Sequence, residues 1–427
     1  MARCPSRCAA GGALFAAWWM AGPAAAQNLP PEESIRFSRY TPVRERQIPG
    51  YEAPGVPLGP FTLSPSAELT GNATDNVFAL EDDGRADAFV ALAPSVQLTS
   101  NWQGRSLNFS ADGTFARYAR NSTENVDAVN VAAYATQDLA GQTRVRLLGR
   151  FRTNRESRES QNAFALTVRP VAFTDAIGAL GLSKRFGSVQ IAGEAGVQRL
   201  DFRDATLRSG GPLDQDYRDG TVRSARVRAD VIQTAAIAYF IQGSHASSRY
   251  SQRSFIGTRR GADTTEILAG ARFELPVLAR GEIGLGYITS AYRDDRFRRF
   301  SGLAINSRLQ FFPSQLTTVT VNAVRSVNDA GTPDSSTYVA LIGGLQVDHE
   351  LLRSLVLGVG LQLERDSYNG VDRRDGRVNL SASADYRLNR TLSLRVSADR
   401  LDLSSSGEAR YKSFARDRIL VGLGARI

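Results

Sequence analysis

From Leu355 onward the chain alternates apolar and polar residues for longer than an ordinary strand of a soluble sheet. Leu355, Leu357, Val359, Leu361 and Leu363 interleave with Val356, Gly358, Gly360 and Gln362. The polar run Arg365 to Gly376 interrupts, and the alternation resumes with Val378, Leu380, Ala382, Ala384, Tyr386 and Leu388. A brief turn at Asn389-Arg390 leads straight into Leu392, Leu394, Val396 and Ala398. Side chains of an extended backbone point alternately to opposite faces, so a period of two held over about ten residues builds a strand with one apolar and one polar face. A soluble sheet must cover its apolar face with a second layer and uses strands of about five or six residues. Long strands joined in turn by a short and a long connection are instead the pattern of a membrane-spanning antiparallel barrel, apolar outside and polar within.

The N-terminus agrees with delivery to such a membrane. Arg3 and Arg7 precede an apolar run from Ala9 to Gly22, and Ala24-Ala25-Ala26 supplies a small-residue cleavage site before Gln27. Residues 1–26 read as a secretory signal peptide, because the run is too short to span a bilayer. No later segment carries about eighteen uninterrupted apolar residues, so only a closed barrel could cross a membrane. Cys4 and Cys8 both fall in the leader, which leaves the mature chain without thiols, disulfides or cysteine metal ligands. The formal charge of +9 becomes +7 once Arg3 and Arg7 are removed, and the basic residues are almost all arginine, with Lys184 and Lys412 the only lysines. These arginines are scattered among acids along alternating strands, which argues against nucleic acid as a partner.

Gln27 to Pro60 is rich in proline and charge without a helical or strand period and reads as an extended, largely unpacked N-terminal extension on the periplasmic side. It is a flexible leader, a handle for a partner, or a segment that folds back toward the pore. Residues 61–427 then alternate to the end. Strands are expected near 61–69, 88–98, 107–115, 129–135, 145–151, 163–186, 189–202, 222–231, 236–247, 263–275, 281–293, 302–312, 315–328, 336–349, 353–365, 376–388, 391–404 and 413–427. The stretch Ala163 to Phe186 counts as one crossing, because long outer loops and short periplasmic turns must alternate. Short joins fall at Leu278-Ala279-Arg280, Pro313-Ser314, Leu351-Leu352 and Asn389-Arg390. The expectation is an all-β, single up-and-down barrel of about eighteen strands, or sixteen if two crossings are miscounted, with both the extension and the C-terminus in the periplasm. Ile419, Val421, Leu423, Ala425 and Ile427 form a closing strand of the kind that outer-membrane assembly machinery reads.

Little chemistry is available for catalysis. His349 stands between Asp348 and Glu350 at a strand foot, a common surface composition and a weak metal set. His245 and Ser247 share one face of their strand, an arrangement that resembles outer-membrane phospholipase A, but no acidic or amide orienter can be assigned. Neither an enzyme, a metal nor a cofactor is expected. The polar phase carries more. It places Arg144, Arg146, Arg150 and Arg152 inward on one strand and Arg226, Arg228 and Asp230 on another. Glu266, Arg272 and Glu274 follow, then Arg377, Asp385 and Arg387, and lastly Arg395, Asp399, Arg418 and Arg426. An arginine facing lipid at mid-depth costs about 2–4 kcal/mol, so these charges belong in the lumen. There they either attract anionic solutes or pair with lumenal acids to brace the wall.

The segment VRERQIPGYEAPGVPLGPFTLSPSAELTGNATDNVF, Val43 to Phe78, resembles the opening of the porin-2-like outer-membrane β-barrel family, found in exopolysaccharide and capsule gene clusters. Gly55, Leu58, Gly59, Phe61, Pro65, Asp75, Asn76, Val77 and Phe78 carry the resemblance. It implies an outer-membrane portal in contact with lipid, some members working with periplasmic export proteins that lack a membrane span of their own, and it supplies no catalytic residues. The leading expectation is a pore for export of a secreted polysaccharide, an acidic polymer being one candidate. A general or anion-preferring diffusion porin is the alternative, and a non-conducting structural or adhesive barrel the third reading.

Overall fold

Alternation of this length produces eighteen long strands in the computed structural model, which describes residues 41–161, 163, 167–275 and 279–427. In chain order they are β1 (Phe61–Thr74), β2 (Asp87–Ser100), β3 (Arg105–Tyr118), β4 (Val126–Leu139), β5 (Thr143–Arg155), β6 (Ala172–Phe186), β7 (Val189–Phe202), β8 (Gly220–Ile232) and β9 (Ile237–Tyr250). The second half comprises β10 (Ala262–Leu275), β11 (Ala279–Tyr292), β12 (Phe300–Ser314), β13 (Thr317–Asp329), β14 (Thr337–Leu352), β15 (Leu355–Tyr368), β16 (Arg374–Arg387), β17 (Leu392–Ser406) and β18 (Phe414–Arg426). The signal-peptide expectation for 1–26 lies outside the described residues.

Each strand pairs antiparallel with its sequence neighbour, and β1 closes the ring on β18 from Ser66↔Arg426 to Thr74↔Arg418. Closure removes the free edges that lipid could not satisfy. The first residues of β1 extend past the end of β18, where the short strand Val56–Leu58 pairs with Phe61–Leu63 and the Ile427 N–H donates to the Pro65 carbonyl at 3.1 Å. A strand of about 14 residues is about 46 Å long, which at the usual barrel tilt crosses the hydrocarbon layer with a margin.

One phase of every strand carries the exposed apolar band, among it Leu92, Leu147, Leu182, Val227, Ile241, Ile267, Leu341, Val359, Leu380 and Val421. The other phase is polar with three apolar islands, of which Phe240, Leu268, Ile288 and Ala304 form one. Short turns gather at one end; Gly187, between β6 and β7, takes a left-handed φ of 59° that L side chains avoid. Long loops gather at the other, the longest being 75–86, 156–171 and 203–219.

Four boundaries depart from the sequence expectation, one being the join expected at Leu278-Ala279-Arg280, of which Ala279 and Arg280 lie inside β11 while Leu278 falls outside the described residues. Ala163 to Phe186 makes one crossing, but that strand begins at Ala172, two residues after Pro170, whose missing N–H cannot serve a ladder. The joins expected at Leu351-Leu352 and Pro313-Ser314 lie inside β14 and β12, and the turns are 353–354 and 315–316. The Pro-rich extension is not unpacked throughout: Val43 and Ile48 are buried.

Candidate functional site

At the turn end the segment 41–51 runs inside the ring. A single 3-10 turn, Val43–Glu45, presents Arg44 to β14, β15 and β16 at once. Arg44 Nε donates to Asp348 Oδ1 at 2.6 Å, Nη1 to Asp385 Oδ2 at 2.6 Å and Nη2 to Ser383 Oγ at 3.1 Å. Burial works to lower the guanidinium pKa, and the two carboxylates outweigh it and hold the pKa above its ordinary value. Around this clasp the Val43 N–H donates to Thr318 Oγ1 at 3.0 Å, Arg46 pairs with Glu350 at 2.9 Å and Arg280 reaches Glu45 at 3.3 Å. Arg426 Nη2 donates to the Tyr51 carbonyl at 2.7 Å. The anchors lie on β11, β13, β14, β16 and β18, so the segment is tied along that arc of the inner wall. A strap inside the turn-end mouth is the result. Gly358 on β15 makes room for it, since a Cβ there would stand 2.3 Å from Arg44 Nη2.

Strand alternation also separates the histidine cluster seen in the sequence. Asp348 and Glu350 point inward to Arg44 and Arg46, whereas His349 points to the other face and bonds Thr317 Oγ1 at 3.0 Å. His245 likewise bonds Thr265 Oγ1 at 2.9 Å, and Ser247 lies opposite Asp263 on β10.

Along the wall, arginines and acids share the face opposite the apolar band. Arg226 pairs with Glu194 at 2.6 Å, Arg228 with Asp230 at 3.0 Å and with Glu282 at 2.9 Å, and Arg272 with Glu282 at 3.0 Å. Arg150 and Arg152 converge on the fully buried Asp175 at 3.4 and 2.8 Å, with Gln198 as its third donor at 2.8 Å. Arg395 pairs with Asp385, Arg418 with Asp399 at 3.0 Å and Arg144 with Asp138 at the turn-end rim. Glu274 and Arg146 are buried, and the Arg228 guanidinium lies 3.8 Å over the Phe240 ring. Arg308 and Arg387 make no ion pair among the described residues. The wall is therefore a belt of neutralised charge with a few open guanidiniums.

At the loop end the loop 156–171 leaves β5 and crosses to the far wall. Arg158 holds Glu124 in a bidentate pair, both contacts 2.9 Å and both side chains buried. Beyond it Arg377 donates to the Glu159 carbonyl at 2.6 Å, Arg416 pairs with the Glu159 carboxylate at 2.7 Å, and Gln161 donates to Asp366. Arg373 Nη2 holds the Gln161 carbonyl at 2.9 Å and Lys412 Nζ the Arg158 carbonyl at 2.6 Å. Its neighbours brace it: Arg218 pairs with Glu156, the Tyr217 hydroxyl donates to the Gly331 carbonyl at 3.3 Å, and Arg260 pairs with Asp329. Buried pairs of this kind add little net stability but fix one arrangement, because losing a partner leaves a desolvated charge.

The residues of the opening motif surround the seam where the ring closes. Gly55 and Gly59 flank the short strand with φ of 70° and 57°, and Phe61 packs edge-on to Trp102 at 5.1 Å. Asn76 Nδ2 donates to the Ala415 carbonyl at 3.0 Å, Asp75 accepts from the Asp417 N–H at 2.8 Å, and Phe78 is buried beneath Arg208. Sequence reasoning did not single out Arg44, Arg46, Arg158, Glu159, Gln161 or Lys412. The alternating charges of Val43-Arg44-Glu45-Arg46 within an aperiodic stretch, and the charge density of 155–159, were the available signals.

A closed, eighteen-stranded ring with an apolar exterior, a charged interior and no helix long and apolar enough to span a bilayer among the described residues is an outer-membrane β-barrel of the porin type. The chain belongs to the family described as "Putative beta-barrel porin 2", whose profile matches residues 48–427. No curated protein matches it. Among solved structures it is similar to the outer membrane protein OpdK of Pseudomonas aeruginosa, at 10% identity and a TM-score of 0.44 over 86% of this chain and 99% of that one. It is also similar to OccK2 (OpdF) of P. aeruginosa, solved in complex with glucuronate, at 9% identity and a TM-score of 0.47 over 86% and 98% of the two chains. A third is the FrpB iron transporter of Neisseria meningitidis, at 9% identity and a TM-score of 0.46 over 85% and 81%.

Proposed function

We propose that this barrel is a gated conduit for export of a secreted, acidic polysaccharide, and not an enzyme. The carrying observation is the Arg44 clasp on Asp348 and Asp385, which holds a strap inside the turn-end mouth by contacts that can be exchanged. In this reading the turn end and both termini face the periplasm and the long loops face outward. A periplasmic export protein that draws the strap away would open the mouth as a polymer arrives. A lumen of mixed charge supports the idea, because arginine–acid pairs and amides can hand a hydrated saccharide along without trapping it. The loop 156–171 would be the second gate, displaced by the emerging chain.

The test is a deletion strain assayed for secreted polysaccharide, complemented with the full chain or with the chain lacking 41–51. Loss of secretion on deletion, with cell-associated polymer accumulating, is the expected result. Undiminished secretion without the gene overturns export and leaves the second reading, an anion-preferring diffusion porin. That reading is favoured by Arg308 and Arg387, lumenal guanidiniums without an ion pair among the described residues.

A further inference from the structure

Between β12 and β13 the wall splits at its loop end. Their ladder runs up to Ile305↔Arg325 and stops, although β12 begins at Phe300 and β13 continues to Asp329. The two edges diverge into a notch, and in a spanning wall such unpaired backbone needs polar partners. Arg325 supplies one: its Nη1 donates to the Leu303 carbonyl at 3.0 Å. The row at the foot of the notch reads Ile305, Arg325, Leu341, Arg365 across four successive strands, on the face that carries the apolar band. Arg298 and Arg299, from the preceding loop, line the same cavity of about 540 Å³.

Elsewhere on the outer rim, three arginines of this face are paired with acids. Arg117 pairs with Asp127 at 2.7 Å, Arg249 with Asp263 at 2.9 Å, and Arg400 with Asp402 and Asp417 at 3.0 and 3.1 Å. At the notch there is no acid: none of Arg298, Arg299, Arg325 and Arg365 makes an ion pair among the described residues. Arg299 Nε meets only Thr289 Oγ1, at 3.2 Å. Four cations without counter-ions, above Leu303 and Leu341 at 51% and 44% exposure, form an amphipathic recess.

We propose that this recess binds an acylated lipid with a phosphorylated headgroup from the leaflet at the loop end. Guanidinium forks match phosphate oxygens two at a time, and four of them suit a headgroup with two phosphates. Free phosphate would leave the apolar floor unused, whereas acyl chains would run down Leu303, Ile305 and Leu341 into the lipid band. The headgroup would also serve the unpaired edges of β12 and β13, so the lipid would act as a wedge that keeps the split in one shape.

The experiment titrates bisphosphorylated lipid A into the purified full chain in detergent, read by native mass spectrometry. Monophosphorylated lipid A, phosphatidylethanolamine and inorganic phosphate are run in parallel. Tight binding of one bisphosphorylated molecule is expected, at least tenfold weaker for the monophosphorylated form and for R325Q/R365Q. The variant R117Q, on the same rim, is expected to bind like the wild type. Heat-modifiable migration in gels establishes that each variant is folded. Equal binding by R325Q/R365Q, an equal loss in R117Q, or no preference over phosphatidylethanolamine would overturn the site. Occupancy by inorganic phosphate that lipid fails to displace would reduce it to a simple anion site and overturn the lipid assignment.

Discussion

Arg44 and Asp348 lie 304 residues apart in sequence and 2.6 Å apart at the inner wall. The contact joins an aperiodic segment to the inner wall of β14, and Asp385 on β16 takes the other side of the same guanidinium. A hydrogen bond to a charged group contributes about 1.5–3 kcal/mol, and removing one member of a part-buried set also strands its partners. Arg44→Ala should therefore release the strap while the barrel stays folded. In planar bilayers its single-channel conductance should exceed that of the wild type, and D348N/D385N should behave alike. Unchanged conductance in both would show that 41–51 does not limit passage.

Arg158 and Glu124 play the matching part at the loop end, deeper and drier. Glu124→Gln leaves the Arg158 guanidinium buried with a neutral partner, a loss of about 3–5 kcal/mol when a buried pair is broken. That cost falls on one loop, so it should appear as local opening and not as global unfolding. Limited trypsin digestion should cut after Arg155 or Arg158 in E124Q under conditions where the wild type is intact. Protection equal to wild type would mean that the other anchors, from Arg416 and Arg373, suffice alone.

The loop end should also respond to pH through Lys412. Burial pushes its amine down to about 7 from an ordinary 10.5; Arg377, Arg373 and Arg158 add to this and Glu156 opposes it. A lysine released to water binds its proton more tightly than the docked one. Between about pH 7 and 10.5 the closed loop therefore gains stability as pH rises. Below about pH 7 the amine is charged in both states and the full penalty applies. Proteolytic opening of 156–171, read after a short pulse, should be greater at pH 6.5 than at pH 9. In Lys412→Met the difference should vanish, because methionine keeps much of the volume without the titration.

The ring itself was legible because a bilayer leaves so few solutions. Period-two alternation from Leu355 to Ala398 forces an apolar and a polar face, and alternating connection lengths fix the parity of crossings. The error at Ala163 had a local cause: AFALTV alternates like a strand, and Pro170 marks the true start only once the loop is known to turn inward. The strap and the inward loop left no such trace. Their anchors are single polar contacts to strands hundreds of residues away, as between Gln161 and Asp366 or Arg44 and Asp385, and no periodicity encodes them. The β12–β13 split is invisible for the same reason, since both strands keep their alternation through it.

Gly358 offers a test of the strap that leaves the strap untouched. It faces the lumen on β15, and a Cβ there would lie 2.3 Å from Arg44 Nη2, 2.8 Å from Ser383 Oγ and 3.1 Å from Asp348 Oδ1. Valine suits an extended backbone and should not harm the ladder. Its branched side chain would occupy the place of the guanidinium, so Gly358→Val should expel Arg44 and raise conductance as Arg44→Ala does. Combining the two should add nothing further, because both remove the same contact and effects at one site are not additive. A double variant with the summed effect would show that Gly358 shapes the passage independently of the clasp.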